Sequence, residues 1–394
     1  MIEISNLRKY NTDRGMTRLE ADIKFTDIEE TCPVETIYLE IREDCGDMFS
    51  EDTYDAFVLV PLYLAMSYKT DLKICGNVSK KFYKNLTWYV QKILCDFSSK
   101  LAPVKIFVEG FVPQTPLGNV IGAGISCGVD SFSTIYDHFV RESDPDYRIN
   151  ALFNFNTGAH GDFGVPITEK IFQSRIERAV CAANELHLPL IIMDTNFHQF
   201  RRTDDRDNFF FLSNYSCVLS VQRAIRRYYI ASACTYQQIK DFGNEKYLYN
   251  LASFCDSYLV PLVQTERTEL IIDGCQYRRV DKIKNIADWD IAQKYLNVCN
   301  AFPKFDGFAN CGECEKCART LLPLEILGKV DKFAKLFNMG KYNSFKYRVK
   351  VLRDVESDAY CKEIFGLAEE MNFPMPTKED CYVLGENILV IKKD

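Results

Sequence analysis

The sequence lacks any apolar run approaching the roughly 20 residues that a membrane helix needs, which argues against a membrane-spanning protein. Its opening stretch, Met1 to Gly15, holds no apolar signal core, so the cytoplasm is the expected location. Long basic tracts are missing as well. Arg201, Arg202 and Arg206, and then Arg226 and Arg227, come in small groups within a chain of net charge −7, which argues against duplex nucleic acid as partner. There is no internal repeat and no low-complexity tract, and 47% hydrophobic with 26% charged residues excludes disordered and fibrous classes. No glycine-rich loop ends in Gly-Lys-Ser or Gly-Lys-Thr, which excludes a Walker A site. Gly122 and Gly124 begin a dinucleotide fingerprint, but its third glycine position holds Cys127 and no acidic ribose anchor follows at the expected distance.

What is present fits an intracellular globular protein. At 394 residues the chain suits two units, or one large α/β unit with additions. Many of its 16 cysteines, such as Cys95, Cys181, Cys217 and Cys234, sit in apolar stretches, as reduced core thiols do. Residues 1–115 read as an α+β segment, with strands over Leu19 to Phe25 and Thr36 to Ile41 and another from Val104. Helices are expected over Tyr54 to Tyr68 and over Phe82 to Phe97, the second capped by Ser79. Turn-rich Pro113 to Asn119 marks a boundary. Beyond it strands alternate with longer helices, including one from Phe210 to Arg227, which implies a parallel sheet with helices on both faces. The tail ends in a strand-like NILVIKK.

The strand VIGAGI runs into Ser126-Cys127-Gly128-Val129-Asp130-Ser131 and then a helical pattern. A strand that delivers a short turn into a helix start presents unpaired N–H groups and a positive dipole end, which suits a pyrophosphate. Ser126 and Ser131 add hydroxyl donors, Gly128 allows close approach, and Asp130 either caps the helix or helps to hold magnesium. This run resembles the SGGxDS loop of the PP-loop ATP pyrophosphatases, with Cys127 where those loops usually carry glycine. Cys127 is either a nucleophile activated by the helix start or a small residue that fits the turn.

A second motif lies downstream. Cys311, Cys314 and Cys317, each separated by two residues, follow Cys299, and Gly312 eases the turn between them. Four thiols at this spacing point to a tetrahedral zinc site, with an iron–sulfur cluster as the rival reading. A closed four-sulfur shell leaves no open coordination position, so the metal is expected to be structural.

The two motifs in this order resemble the 7-cyano-7-deazaguanine synthases of QueC type over roughly residues 118 to 325. Further landmarks look similar: Asn156-Thr157 before Gly158-Ala159-His160, a Ser213-Asn214 step taken to open the long helix, and Pro261-Leu262 ahead of Arg267 and Glu269. The resemblance implies an adenine nucleotide alpha hydrolase-like, doubly wound parallel sheet over 116–325 with a zinc loop, an α+β domain over 1–115 and an extension over 326–394. It implies that Ser126, Cys127, Gly128, Val129, Asp130 and Ser131 bind ATP with magnesium, that Asn156 and Asn214 line the pocket, and that Arg267 reaches a phosphate, with Ser126, Asp130, Ser131 and Arg267 as the catalytic residues. Cys299, Cys311, Cys314 and Cys317 would hold zinc. The implied reaction adenylates a 7-deazaguanine carboxylate for attack by an amine, with ammonia or a protein as acceptor. Extended members look similar to those of bacterial antiviral defence systems, where residues 1–115 would recognise the acceptor or form a lid or dimer surface. A PP-loop sulfurtransferase or tRNA-modifying enzyme, and a zinc-stabilised nucleotide-binding protein without turnover, are the alternatives.

Overall fold

The computed structural model describes residues 1–29, 31–113, 117–158, 166–200, 206–241, 251–299, 307–345, 359–375, 381–383 and 389–391. Ten strands build one sheet: β1 (Ile2–Asn11), β2 (Met16–Phe25), β3 (Thr36–Arg42), β4 (Leu72–Val78), β5 (Ile106–Phe111), β6 (Val120–Gly124), β7 (Ala151–Asn156), β8 (Leu190–Thr195), β9 (Ile225–Ala231) and β10 (Glu269–Asp273). Their spatial order is β10-β9-β6-β7-β8-β3-β2-β1-β4-β5. Strands β6 to β10 pair in parallel, as do β1 with β4 and β4 with β5, whereas β3 joins β2 and β8, and β2 joins β1, antiparallel. The protein is therefore mixed α/β with a large, mostly parallel sheet. A short hairpin, β11 (Cys381–Val383) with β12 (Leu389–Ile391), falls on the strand expected in the tail.

Helices cover both faces of the parallel part, and the strands show why. Along β7, Ala151 and Phe153 enter one core while Leu152 enters the other, so successive side chains serve opposite layers. On one side lie Arg206–Ser220 and Leu251–Leu259, and the other is packed by Val129–Ile135, Pro166–Glu185, Arg279–Ile286 and Glu315–Ile326. The first core also contains Ile2, Leu19, Leu39 and Phe57, so residues before and after the expected boundary near 115 share one apolar interior and one sheet. A buried polar seam reinforces the junction: Asp55 accepts from the Ser79 N–H at 2.8 Å, from the Ser79 hydroxyl and from Gln222 Nε2 at 2.8 Å.

Two local expectations need correction. Ser79 does precede the helix Lys80–Asn85, but its hydroxyl is taken by Asp55 and makes no cap. The helix expected to run to Arg227 is Arg206–Ser220; Arg226 and Arg227 belong to β9. The Ser213-Asn214 step consequently lies inside that helix and does not open it.

Candidate active site and metal centre

Read from β8 to β10, the order β8-β7-β6-β9-β10 reverses direction at β6, and the carboxyl ends of β6 and β9 diverge there. Open α/β sheets form their ligand crevices at such reversals. A cavity of about 460 Å³ occupies this position, floored by Gly124, Phe153 to Phe155 and Tyr228 to Ala231. One wall is a stripe of the helix Arg206–Ser220, where Phe211, Asn214, Tyr215 and Val218 recur at helical spacing. Arg175, Arg279 and Lys316 arrive from three other helices, and Asp256 from Leu251–Leu259.

The Ser126–Ser131 turn leaves β6 at the mouth of this cavity and runs into Val129–Ile135. The turn is braced internally: the Ser126 and Ser131 hydroxyls lie 3.1 Å apart, Gly128 N–H donates to Ser126 Oγ at 3.3 Å, and Ser131 Oγ donates to Gly128 O at 3.1 Å. Ser126, Gly128, Val129, Asp130 and Ser131 all line the cavity. Cys127 does not. Its backbone takes φ = 58°, its side chain is 1% exposed within the apolar core, and desolvation pushes its thiol up to about 12. That thiol is protonated and inaccessible at neutral pH, which decides against the nucleophile reading.

Asp130 faces two cations. Arg279 Nη1 meets Oδ2 at 3.0 Å and Lys282 Nζ meets Oδ1 at 3.1 Å. Burial alone would raise this carboxyl, but Lys282 and Arg279 outweigh it and hold it below the ordinary carboxylate value. With both oxygens engaged, Asp130 offers no preformed magnesium site. The carboxylate instead aims Arg279 into the cavity. Lys316, exposed as a residue yet lining the mouth, has its ammonium lowered first by desolvation and then by neighbouring Arg279. Arg175 donates through Nη2 to Cys299 O at 2.9 Å, and desolvation lowers its guanidinium.

Other expected residues separate. Asn214 lines the cavity and accepts from Thr157 Oγ1 at 3.0 Å. Asn156 stands behind the wall, donating to Asp194 Oδ1 at 2.9 Å, while Asn154 and Thr157 reach the cavity on either side of it. Arg267 is not brought to the site at all. It precedes β10, at the end of the sheet away from the turn, and its 2%-exposed side chain pairs with Asp52 through Nη1 at 2.9 Å and Nη2 at 2.6 Å. The catalytic role expected of Arg267 is thereby corrected to a clamp between an early loop and the sheet. Ala159 and His160, named among the sequence landmarks, lie outside the described residues.

The four cysteines of the second motif converge beside the same cavity, all four sulfurs within 4.8 Å of one another. Separations are 3.8 Å for Cys299 to Cys314, 3.9 Å for Cys311 to Cys317 and 3.4 Å for Cys314 to Cys317. A tetrahedron with metal–sulfur bonds of about 2.3 Å has edges of about 3.8 Å, so the set fits one zinc-sized ion and is too small to enclose a multi-iron cluster. Gly312 is required here: its φ is +75°, and a Cβ would come 2.2 Å from Asn338 O. Buried Asn310 fixes the Val298–Cys299 segment of the site, accepting from Val298 N–H at 2.7 Å and Cys299 N–H at 3.1 Å. Two residues earlier, Asn297 N–H donates to Cys127 O at 2.8 Å, a direct link from the cysteine knuckle to the turn.

Comparison with family models, curated proteins and solved structures gives no match. Among the cavity residues not singled out from sequence, Lys316 was within reach, lying inside the cysteine motif, and Arg279 opens the helix directly after β10, with Lys282, the buried partner of Asp130, one turn further on. Arg175 and Asp256, in the middle of amphipathic helices, carry no local signature.

Proposed function

We propose that this chain is an ATP-dependent, AMP-forming ligase of the QueC-like, PP-loop kind, which adenylates a 7-deazaguanine-type carboxylate for attack by ammonia or a protein amine in the cytoplasm. The observation that carries the reading is the Ser126–Ser131 turn, which leaves a parallel strand at the reversal of strand order and opens on a cavity with Arg175, Arg279 and Lys316 in its walls. Helix-start N–H groups, two hydroxyls and three cations form a donor set for a triphosphate. Magnesium would arrive on the nucleotide, since the ion is commonly held largely by substrate phosphates. A carboxylate oxygen attacks the α-phosphorus, the bond to the β-bridging oxygen breaks, and pyrophosphate leaves toward the cations. The amine then attacks the acyl carbon, AMP departs with the former carboxylate oxygen, and the amine gives up a proton. The cysteine shell would hold zinc structurally. A sulfurtransferase needs a reactive thiol facing the substrate; Cys127 is buried, and Cys299 belongs to the metal set.

Mass spectrometry of the protein incubated with ATP, magnesium and 7-carboxy-7-deazaguanine, with and without ammonia, should detect AMP together with an amide, a nitrile or a protein adduct. Ser131→Ala should slow AMP release by about 10²-fold, the usual effect of removing one donor to developing negative charge. ATP binding without AMP would overturn the substrate class, and absence of ATP binding would overturn the nucleotide site.

A further inference from the structure

Two of the cations in the cavity wall stand on helices that are braced from behind by the C-terminal extension. Helix Ala359–Glu370 packs Cys361, Ile364, Leu367 and Ala368 against Val280 of helix Arg279–Ile286 and against Leu322 and Ile326 of helix Glu315–Ile326. Those two helices carry Arg279 and Lys316 to the cavity, whereas no described residue of the C-terminal helix lines it. Tyr360 adds a strut: Arg319 lies over its ring at 4.4 Å, and its hydroxyl donates to Ala233 O at 3.4 Å.

One acidic side chain is buried in this joint. Glu363 is 8% exposed, and its carboxylate ends at the start of helix Arg279–Ile286. Oε2 accepts from the Arg279 N–H at 2.8 Å, the Val280 N–H donates to the same carboxylate, and Oε1 accepts from Gln238 Nε2 at 3.1 Å. The first N–H groups of a helix have no partner within it. Asp281, from the helix itself, takes the Arg278 N–H at 3.1 Å, and Glu363 takes the next two from 84 residues away. Burying a carboxylate is unfavourable, so an apolar residue would serve the packing better; what Glu363 adds is a fixed start to this helix.

The residue fixed there is Arg279. Its N–H is held by Glu363 and its Nη1 meets Asp130 Oδ2 at 3.0 Å, so its two ends are tied to the C-terminal extension and to the Ser126–Ser131 turn. We propose, resting on the ATP reading for the identity of the anion, that Glu363 is a positioning residue: it caps helix Arg279–Ile286 so that Arg279 meets a bound phosphate from a set direction. The C-terminal extension is thereby a working part of the site. Without the cap the first turn of the helix frays, and ordering it is left to the ligand.

The test is calorimetry with ATP and with inorganic pyrophosphate on the full chain, at a temperature where melting curves show each variant folded. Glu363→Ala should weaken both ligands by about five- to tenfold, the usual worth of a cap. Because Glu363 acts through Arg279, Glu363→Ala combined with Arg279→Ala should bind no more weakly than Arg279→Ala alone; a residue with only a structural role would add its loss in either background. Glu363→Gln keeps an oxygen for the Arg279 N–H and should restore most of the affinity. Should the alanine variant not fold, Glu363→Asp draws the carboxylate back by one methylene and enters the same cycle. Unchanged affinity in the single variant, or independent losses in the double one, would overturn the positioning role and leave the nucleotide reading standing. Pyrophosphate binding with coupled losses but no ATP binding rejects the nucleotide and keeps Glu363. Binding of neither ligand rejects both.

Discussion

At Cys127 the chain adopts a left-handed conformation that costs an L-residue about 1–2 kcal/mol and glycine almost nothing. The side chain offsets this by filling the core beside Val129 and Phe132. Two truncations separate the effects. Cys127→Ala keeps the strain and loses the sulfur, whereas Cys127→Gly loses the sulfur and the strain together. The glycine variant should therefore be more stable than the alanine variant by about 1 kcal/mol, the reverse of the usual order, as read from urea midpoints. At this scale the sequence was informative where chemistry is local. The turn and the cysteines were legible because spacing alone brings their groups together. Arg279, Lys282 and Asp130 meet only because the helix after β10 packs on the helix after β6, across 149 and 152 residues of chain. Arg267 misled for the complementary reason: its charge was visible, but its partner Asp52 lies 215 residues away.

Among the elements, the cysteine knuckle and the Ser126–Ser131 turn are mechanically joined through Asn297, and Cys299 and Lys316 reach the cavity from the knuckle itself. Removing the metal would leave several thiols crowded and the Asn310-braced segment without its anchor. Under the proposed ATP-binding reading, a strong chelator should lower the melting temperature and weaken ATP binding together, and zinc should restore both, with calorimetry and circular dichroism as the readouts. Loss of melting temperature with unchanged ATP affinity would separate the two sites. The strands that escaped the sequence pattern have physical excuses. In β1 the alternation breaks at a register shift between Ser5 and Arg8, where Asn6 takes φ = 55°, and β4 carries a similar irregularity between Ile74 and Asn77. The overlong helix was misjudged because apolar Val221 and Ile225 and helix-like turn bonds, such as Ile225 N–H to Val221 O at 3.1 Å, continue past the end of the regular helix at Ser220.

For the whole molecule the decisive joint is between β3 and β8. Only Leu39 with Thr195 and Glu40 with Asp194 pair along it. The ladder is extended by a side chain: Asn196 Oδ1 accepts from Tyr38 N–H at 2.9 Å and its Nδ2 donates to Thr36 O at 2.8 Å. Asn196→Leu strands both backbone groups and should cost about 1–3 kcal/mol in urea unfolding. A single cooperative transition should persist, because one core lies on both sides of the joint. A boundary near residue 115 was reasonable from turn residues, yet turns mark where a strand ends and say nothing of which strand lies beside it.

The same joint sets a schedule. During synthesis β1 to β3 are complete once residue 42 has emerged, but the outer edge of β3 finds its neighbour only after residue 195, a gap of 153 residues (195 less 42). At about 5–20 residues per second, the nascent chain carries an unpaired strand edge beside half a hydrophobic interior for roughly 8 to 30 s. Slow codons in that interval lengthen the time in which neighbouring nascent chains on one message can pair edge to edge.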